Sequence, residues 1–327
     1  MKKIITSCLA IAALAVGVAT TLAQQQRVTT TKQKVGQRIE TRGQASSRLA
    51  SLRPSVAFAV TQPEKSAVTS VVVPGANTMF GGLMVYSDKW QTSESTPGVV
   101  SIQAREGGAI SMVHSNKDML NVKSAVKVNN IVYATAMNLS TYKIYVQEYS
   151  ATSWTCTRNE ETDMVNLASS LACDPTTGKI YGSFFNTETE YWDRFCSYSA
   201  SLGEATDIAN MDRDVHALAF NSKGELYGIW GATGWLVKID KKTGSYVQVG
   251  KTGLHPISVD DYGVNSLAFG NDGALYWSAT YQGVNSKDMR GGLFKIDTAT
   301  GKATKVMDYP NNEGIAGLFA MADKVPD

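Results

Sequence analysis

The feature that most constrains the fold of this chain is an internal repeat marked by tyrosines. These tyrosines follow one another at intervals of 47, 48, 46 and 49 residues, at positions Tyr86, Tyr133, Tyr181, Tyr227 and Tyr276. Segments 171–181, 218–227 and 267–276 each contain an apolar run, a tight glycine turn and a second apolar run that ends in a tyrosine. Segment 126–133 is a shorter version, and segment 82–86 supplies the second run alone. Self-similarity at a fixed period of this length indicates a repeat architecture.

Each unit continues with a second predicted hairpin. The clearest copies are segments 236–249 and 294–306, and looser copies are segments 195–203 and 99–107. Their turns carry Asp240 with Gly244 and Asp297 with Gly301; these residue types suit Asx hydrogen bonding and positive φ angles. Four short strands per unit, without helical periodicity, predict an all-β protein with a β-propeller fold.

The two ends of the repeat region complement each other. The first unit lacks its inner strand, while segment 314–321 near the C-terminus is an inner strand without a unit. Joining them completes the first blade and closes the ring, which removes exposed sheet edges. The sequence therefore predicts a five-bladed propeller over residues 79–327. A six-bladed ring, with the apolar runs 56–60 and 67–73 as additional strands, is the alternative.

The N-terminal segments differ from the repeat region. Residues 1–23 combine a basic start, an apolar run and a small-residue exit, which is typical of a secretory signal peptide. Residues 24–65 contain eight Lys and Arg and two Glu, with few apolar residues at first, so we expect a flexible basic arm. Residues 66–78 form a lead-in segment. A membrane anchor is the alternative for residues 1–23; in the mature chain we expect no integral membrane segment.

Charge is distributed unevenly. Although the whole chain has a formal net charge of +2, residues 66–327 contain 21 basic and 27 acidic residues, a net charge of −6. An acidic body argues against nucleic acid as a partner, because contacts with phosphates require clustered Lys and Arg.

The repeat resembles secreted bacterial propellers with hairpins of the Leu-Ala-Phe…Gly-x-Leu-Tyr and Lys-Ile-Asp-x-x-Thr-Gly types, near the NHL, YVTN and SMP-30-like families. The resemblance covers roughly residues 79–322. It implies the fold and the secreted setting but no particular activity, since propellers have many functions. The tryptophan pattern of quinone-binding propellers is missing from most units, so we expect no quinone or other cofactor.

Variation in loop length points to one face of the propeller. The turns within the hairpins are short and repetitive, whereas segments 87–97, 113–121, 186–194, 253–262 and 281–290 vary. A rigid scaffold with variable loops on one side is typical of a binding surface. Aromatic side chains offer flat contacts to sugars or proteins, although they could instead pack between blades. The candidate ligand-binding residues are Trp90, Tyr191, Trp192, Trp230, Trp235, Tyr281, Asp214, His216, Asn265 and Asp261.

His216 lies two residues before Leu218, where the other units carry Ser124, Ser169, Asn265 and Ala316. These small polar positions are expected to line the mouth of the central channel. A histidine there is typical of a hydrogen-bonded channel residue rather than a catalyst. The chain has no calcium-loop spacing, nucleophile elbow, phosphate loop or His-Glu-x-x-His motif, and we predict neither catalytic residues nor a metal site.

Three cysteines follow the predicted signal peptide: Cys156, Cys173 and Cys196. Export favours disulfide formation. Cys156 and Cys196 belong to the second hairpins of neighbouring units and could pair, whereas Cys173 is expected to be a free thiol in an inner strand.

These observations favour a non-catalytic binding protein that is secreted, periplasmic or on the outer cell surface. We expect it to be a monomer that recognises a glycan or an extracellular protein through the variable loops. Two alternatives remain. One is a glycoside hydrolase or lyase with carboxylates at the channel mouth, for which Asp214 and Glu313 lie near strand starts. The other is a scaffold module of a surface assembly.

Overall fold

The computed structural model describes residues 78–86, 97–116, 119–231, 233–257, 263–283 and 289–321, with the side chain of Tyr86 excepted. The chain divides into two units, residues 1–71 and 72–327, and every described residue belongs to the second. The predicted signal peptide, basic arm and lead-in segment therefore lie outside the described residues, except for Thr78.

Twenty β-strands make up almost all of the regular structure in the described ranges. A single 3₁₀ turn, Met164–Asn166, accompanies them. In chain order the strands are β1 (Met79–Tyr86), β2 (Gly98–Gln103), β3 (Ile110–Ser115), β4 (Asn121–Val128), β5 (Ile131–Met137), β6 (Ile144–Ser150), β7 (Cys156–Thr162), β8 (Ala168–Cys173), β9 (Ile180–Asn186), β10 (Tyr191–Ser199), β11 (Glu204–Asn210), β12 (Val215–Phe220), β13 (Leu226–Trp230), β14 (Trp235–Ile239), β15 (Tyr246–Lys251), β16 (Ser266–Phe269), β17 (Leu275–Gln282), β18 (Met289–Ile296), β19 (Ala303–Asp308) and β20 (Gly314–Met321).

The strands form five antiparallel sheets of four strands each in the described chain. Four sheets follow the sequence, with orders β4-β5-β6-β7, β8-β9-β10-β11, β12-β13-β14-β15 and β16-β17-β18-β19. The remaining sheet, which we call the first blade, has the order β20-β1-β2-β3, so the four sheets above are the second to fifth blades in chain order. Its inner strand β20 contacts β4 and β16, and the inner strands β4, β8, β12 and β16 contact one another in sequence. The five-bladed propeller is confirmed, and the six-bladed alternative is wrong because β20 already lies against the inner strands of both neighbouring blades.

The ring closes as the sequence predicted. Strand β20 pairs with β1 in antiparallel register, with Phe80 opposite Ala320 and Met84 opposite Ile315. Ile315 is fully buried, and Leu318 and Phe319 are 6% and 8% exposed. The first and last described strands therefore share one blade and one apolar interior.

The register corrects one detail of the repeat. Tyr133, Tyr181, Tyr227 and Tyr276 lie opposite a small apolar residue of the inner strand: Val126, Ala172, Ala219 and Ala268 respectively. In the closing blade the same place in the ladder is held by Gly81, opposite Phe319; Tyr86 is at the far end of β1. A Cβ atom on Gly81 would lie 2.4 Å from the Phe319 ring. The large and the small residue have exchanged strands, which the tyrosine spacing alone does not reveal.

The short turns use the chemistry predicted for them. Asp174, Asp240 and Asp297 each accept a hydrogen bond from the backbone N–H two residues later, and Gly178, Gly244 and Gly301 adopt positive φ. Side-chain hydrogen bonding of this kind favours the tight turns that antiparallel neighbours require.

One of these turns also joins two blades through a buried ion pair. The Asp174 side chain is fully buried, and its Oδ2 accepts a hydrogen bond from Lys241 Nζ at 2.5 Å. Burial alone would raise the pKa of Asp174, but hydrogen bonds from Lys241, Thr176 and Thr177 hold it well below its ordinary value. The carboxylate thus links two neighbouring blades: the turn between β8 and β9 in the third blade and the turn between β14 and β15 in the fourth.

Asp174→Asn should therefore destabilise the domain in a pH-dependent manner. Removing one partner of a buried pair leaves the other uncompensated, so we expect the free energy of unfolding at pH 7 to fall by about 3 kcal/mol. Because the folded-state pKa of Asp174 is lowered, its stabilisation is present above the unfolded pKa of about 4 and is lost as pH falls below it. Urea unfolding at pH 7 and pH 3 should show the deficit of the variant shrinking at pH 3.

Asp240→Asn is the matched control, because Asp240 is exposed and accepts the same type of turn hydrogen bond. We expect its unfolding free energy to stay close to that of the unaltered chain. An Asp174→Asn deficit that is absent at pH 7, or equal at both pH values, would contradict the role of the ion pair.

Candidate functional site

The propeller has two faces with different loops. Because every sheet is antiparallel, the turns inside the two hairpins of each blade lie at one edge, which we call the hairpin-turn face. The loops between the second and third strands, together with those between blades, lie at the opposite edge. We call this edge the variable-loop face. Trp90 and Asp261, which the sequence assigned to the variable loops, lie outside the described residues, as do parts of the variable segments.

The inner strands place a set of polar side chains at equivalent positions. The ladder between first and second strands is interrupted after Val122, after Ala168 and after Val215. The residues at these interruptions are Lys123, Ser169 and His216, and Asn265 follows Val264 at the corresponding place. A bulge of this kind redirects a side chain. The position equivalent to His216 is therefore Lys123, not Ser124 as the sequence alignment suggested, because Tyr133 pairs with Val126 where Tyr227 pairs with Ala219.

These four residues are buried, and hydrogen bonds hold Ser169 and Asn265 in place. Their exposed fractions are 6% for Lys123, 1% for Ser169, and 2% for His216 and Asn265. Ser169 Oγ donates to the carbonyl of Val215 at 2.8 Å, which links the third and fourth blades. Asn265 uses both ends of its amide, since Nδ2 donates to the Ile257 carbonyl and Oδ1 accepts from Trp277 Nε1. The inner strands thus carry polar side chains at equivalent positions, two of which are fixed by hydrogen bonds.

The acidic side chains near these positions hold backbone groups of the variable-loop face. Asp214 Oδ1 accepts a hydrogen bond from the Trp192 backbone N–H at 3.0 Å. Glu313, which is 5% exposed, accepts from both the backbone N–H and the side-chain amide of Asn311. These are the two acids on which the glycosidase alternative depends, and each already has a structural partner.

Three of the predicted aromatic residues are buried and do not offer a flat face to solvent. Trp192, Trp230 and Tyr281 are 3%, 2% and 7% exposed. Trp192 packs against Phe185 with ring centroids 5.3 Å apart, and Tyr281 packs edge-on against Phe294 at 5.3 Å. The expectation that they form an exposed aromatic surface is corrected: their large apolar rings fill the blades' interior. Tyr191 and Trp235 are partly exposed at the edge of the face.

Cationic side chains stack on the tryptophans of the fourth blade, which sequence reasoning missed. The Arg213 guanidinium lies 4.3 Å from the ring centre of Trp230, and Lys251 Nζ lies 5.5 Å from that of Trp235. Trp230 and Trp235 are direct neighbours across β13 and β14. Arg213 Nε and Trp230 Nε1 are buried donors without a hydrogen-bond acceptor in the described chain. The sequence signal that could have indicated this group is segment 231–234, which has two glycines and lies between Trp230 and Trp235.

Carboxyl groups with shifted pKa values lie away from this face. Among the described residues they are Asp174, Asp207, Glu225, Asp272 and Asp297, and each pKa is lowered. For Asp207, burial would raise the pKa, but hydrogen bonds from Arg194 and Cys196 outweigh it. For Glu225, the hydrogen bond from Lys238 is the main cause. A general acid near neutral pH needs the opposite shift.

The three cysteines among the described residues, Cys156, Cys173 and Cys196, are not joined by disulfides. The Cys156 thiol donates to the Arg158 carbonyl, and the Cys196 thiol to Asp207 Oδ1, so the Cys156–Cys196 disulfide that the sequence left open is not formed. Burial raises the pKa of Cys196 to about 12, which makes it unreactive.

Within the described ranges, no group of three or more His, Cys, Asp or Glu side chains could hold a metal ion, and no helix is long and apolar enough to cross a membrane.

Comparison with known proteins gives only remote structural likeness. The sequence matches no family model and no curated protein. The chain is similar to a chain in the crystal structure of a nidogen/laminin complex, with 9% identity and a TM-score of 0.44, covering 76% of this chain and 99% of that one. It is also similar to a protein of unknown function from Bacteroides thetaiotaomicron (18% identity, TM-score 0.43, covering 74% and 60%). A third similar structure is TolB from Acinetobacter baumannii (11% identity, TM-score 0.42, covering 76% and 67%).

Substituting the two types of tryptophan should separate structural from surface roles. Trp192→Ala removes a buried ring, and we expect it to lower the free energy of unfolding by about 3–5 kcal/mol. Trp235→Ala removes a partly exposed ring and should cost about 1 kcal/mol. Urea unfolding followed by circular dichroism measures both. Equal losses for the two variants would contradict the burial described here.

Proposed function

We propose that this protein is an exported, non-catalytic binding protein that recognises a glycan or a protein partner through its variable-loop face. The observation that carries the proposal is the aromatic–cation group of the fourth blade. Trp235 is partly exposed and backed by Lys251, and its neighbour Trp230 is covered by Arg213. Tryptophan and arginine are the residues most enriched at the energetic centres of binding surfaces.

The channel mouth beside this group supports recognition rather than catalysis. Hydrolysis of a glycosidic bond uses two carboxyl groups roughly 5–10 Å apart that are available to the substrate. Asp214 and Glu313 instead hold the backbones of Trp192 and Asn311. Groups that keep loops in place suit a preorganised surface, because less ordering is then needed on binding.

The compartment forms part of the same proposal. The basic start, apolar run and small-residue exit of residues 1–23 support export, which would bring the propeller to the periplasm, the outer cell surface or the medium. Glycans and extracellular proteins are the partners available there.

Binding should depend on Tyr191 and Trp235. We expect the double variant Tyr191→Ala with Trp235→Ala to lose at least tenfold in affinity, because each change removes aromatic contact area from the edge of the face. Glycan arrays and pull-downs from cell-envelope extract with the mature chain identify the ligand, and titration of that ligand gives the affinity.

Val247→Ala is the matched control, since Val247 is 66% exposed on an outer strand and its removal should leave affinity within twofold. Full binding by the double variant would contradict the proposed surface. Turnover of chromogenic glycosides that is lost in Asp214→Asn would favour the hydrolase alternative instead.

A further inference from the structure

A second concave site lies on the opposite, hairpin-turn face. It is an open cleft with a volume of about 730 Å³ across the third blade, bordered by the second and fourth blades. Tyr133 lines it from the second blade, Lys179, Ser199 and Thr206 from the third, and Lys241 and Lys242 from the fourth. The binding surface proposed above does not include any of these residues.

The cleft lies where the residue opposite the repeat tyrosine on the third strand is short; this position differs between blades, with Glu148 opposite Tyr133 in the second blade. In the fourth and fifth blades the residue opposite the repeat tyrosine on the third strand is a lysine: Lys238 opposite Tyr227, and Lys295 opposite Tyr276. Their Nζ atoms lie 6.0 and 5.6 Å from the tyrosine ring centres and cover them. In the third blade the residue opposite Tyr181 is Ser197. The short serine leaves open the volume that a lysine fills in the fourth and fifth blades. Tyr181 and Ser197 both line the cleft.

The charge of the cleft is also specific to this place in the ring. Among the described residues, three lysines and no carboxylate line it, although residues 66–327 carry a net charge of −6. Lys179 stands where the next two units have Glu225 and Ala274, and Lys242 stands where the fifth blade has Ala299. Lys241 is held by Asp174. Lys179 and Lys242 are exposed, and no ion pair within the described chain involves either of them.

Between the lysines, the lining combines hydroxyl-bearing side chains with apolar ones such as Val128, Ile180 and Ile208. Ser197, Ser199, Ser201 and Thr206 come from the third blade, and Tyr133 and Tyr198 add phenols. Both phenols carry their proton at neutral pH, and burial raises the pKa of Tyr198 further, to about 12. Hydroxyls both donate and accept hydrogen bonds, which matches the hydroxyl groups of a sugar, while exposed lysines match an anionic substituent.

We propose that this cleft binds an anionic saccharide, with Lys179 and Lys242 on its carboxylate or sulfate groups and the hydroxyls of Ser199 and Thr206 on its sugar hydroxyls. The ligand would lie over Tyr181 in the space that lysine occupies in the fourth and fifth blades. The propeller then has two binding faces, one on variable loops and one built into the repeat.

Trigalacturonate is a suitable short ligand, measured by isothermal titration calorimetry with the full mature chain at 0.15 M salt. We expect saturable binding that Lys179→Gln with Lys242→Gln weakens about fivefold to tenfold, because two charge contacts at a partly exposed site are lost. Thr206→Val, which removes a hydroxyl while keeping a β-branched side chain, should weaken it about fivefold. Fully methyl-esterified trigalacturonate, which is uncharged, should bind more weakly than the acid.

Lys223→Gln with Lys302→Gln is the matched control. Both lysines are exposed on turns of the same face but lie outside the cleft, and residues 24–65 with their basic side chains are common to every variant. This control should leave the affinity within twofold, and so should the Tyr191→Ala, Trp235→Ala variant, which tests the other face.

Three results would overturn the proposal. One is absence of trigalacturonate binding at millimolar concentration. Another is equal weakening by the cleft variant and the control, which would indicate general charge attraction. The third is tetraglutamate binding as tightly as trigalacturonate without any effect of Thr206→Val, which would make the cleft a site for acidic peptides.

Discussion

The pairing of β20 with β1 is the constraint on which the rest of the structure depends. It joins strands that are more than 200 residues apart in sequence and leaves no blade of the described ring with an open inner edge. Close packing at this point requires glycine. Gly317 has a φ of +62°, and a Cβ atom on it would lie 2.5 Å from the Cβ of Ala125 on the neighbouring inner strand. The exchange of volume between Gly81 and Phe319 completes the fit within the blade.

The two faces of the closed ring differ because one carries the short, repetitive hairpin turns and the other carries the variable loops. On the hairpin-turn face, aspartates, glycines and threonines recur because tight antiparallel turns need them. On the variable-loop face, carboxylates such as Asp193 and Asp214 hold irregular loops: Asp193 accepts hydrogen bonds from Asn186 and Thr189. On both faces, the proposed binding sites lie where the blades differ from one another. Ser197, where the fourth and fifth blades have lysine, leaves a cleft open, and the tryptophans on either side of segment 231–234 have arginine and lysine on their rings.

The sequence was sufficient for the fold and only partly sufficient for the site. Turn chemistry and period-two apolar patterns are local, so they predicted the blades, the blade count and the closing strand. Residue positions that depend on the register between strands were harder to predict from the sequence. Tyr86 was assigned to the repeat although Gly81 holds that place, because the small and large residues are exchanged only in the closing blade. Burial of Trp192 and Trp230, and the cleft beside Ser197, result from contacts between strands and blades that no local pattern contains.

Deleting the last strand tests the closed ring most directly. A chain that ends at Glu313 should be compared with one that ends at Met321, so that both lack residues 322–327. The shorter chain loses the buried side chains of Ile315, Leu318 and Phe319, each contributing about 1.5–3 kcal/mol, and this sum is comparable with the net stability of a domain. Thermal unfolding followed by circular dichroism should show a cooperative transition for the longer chain and none for the shorter one. A cooperative transition of the shorter chain within a few degrees of the longer one would contradict closure by β20.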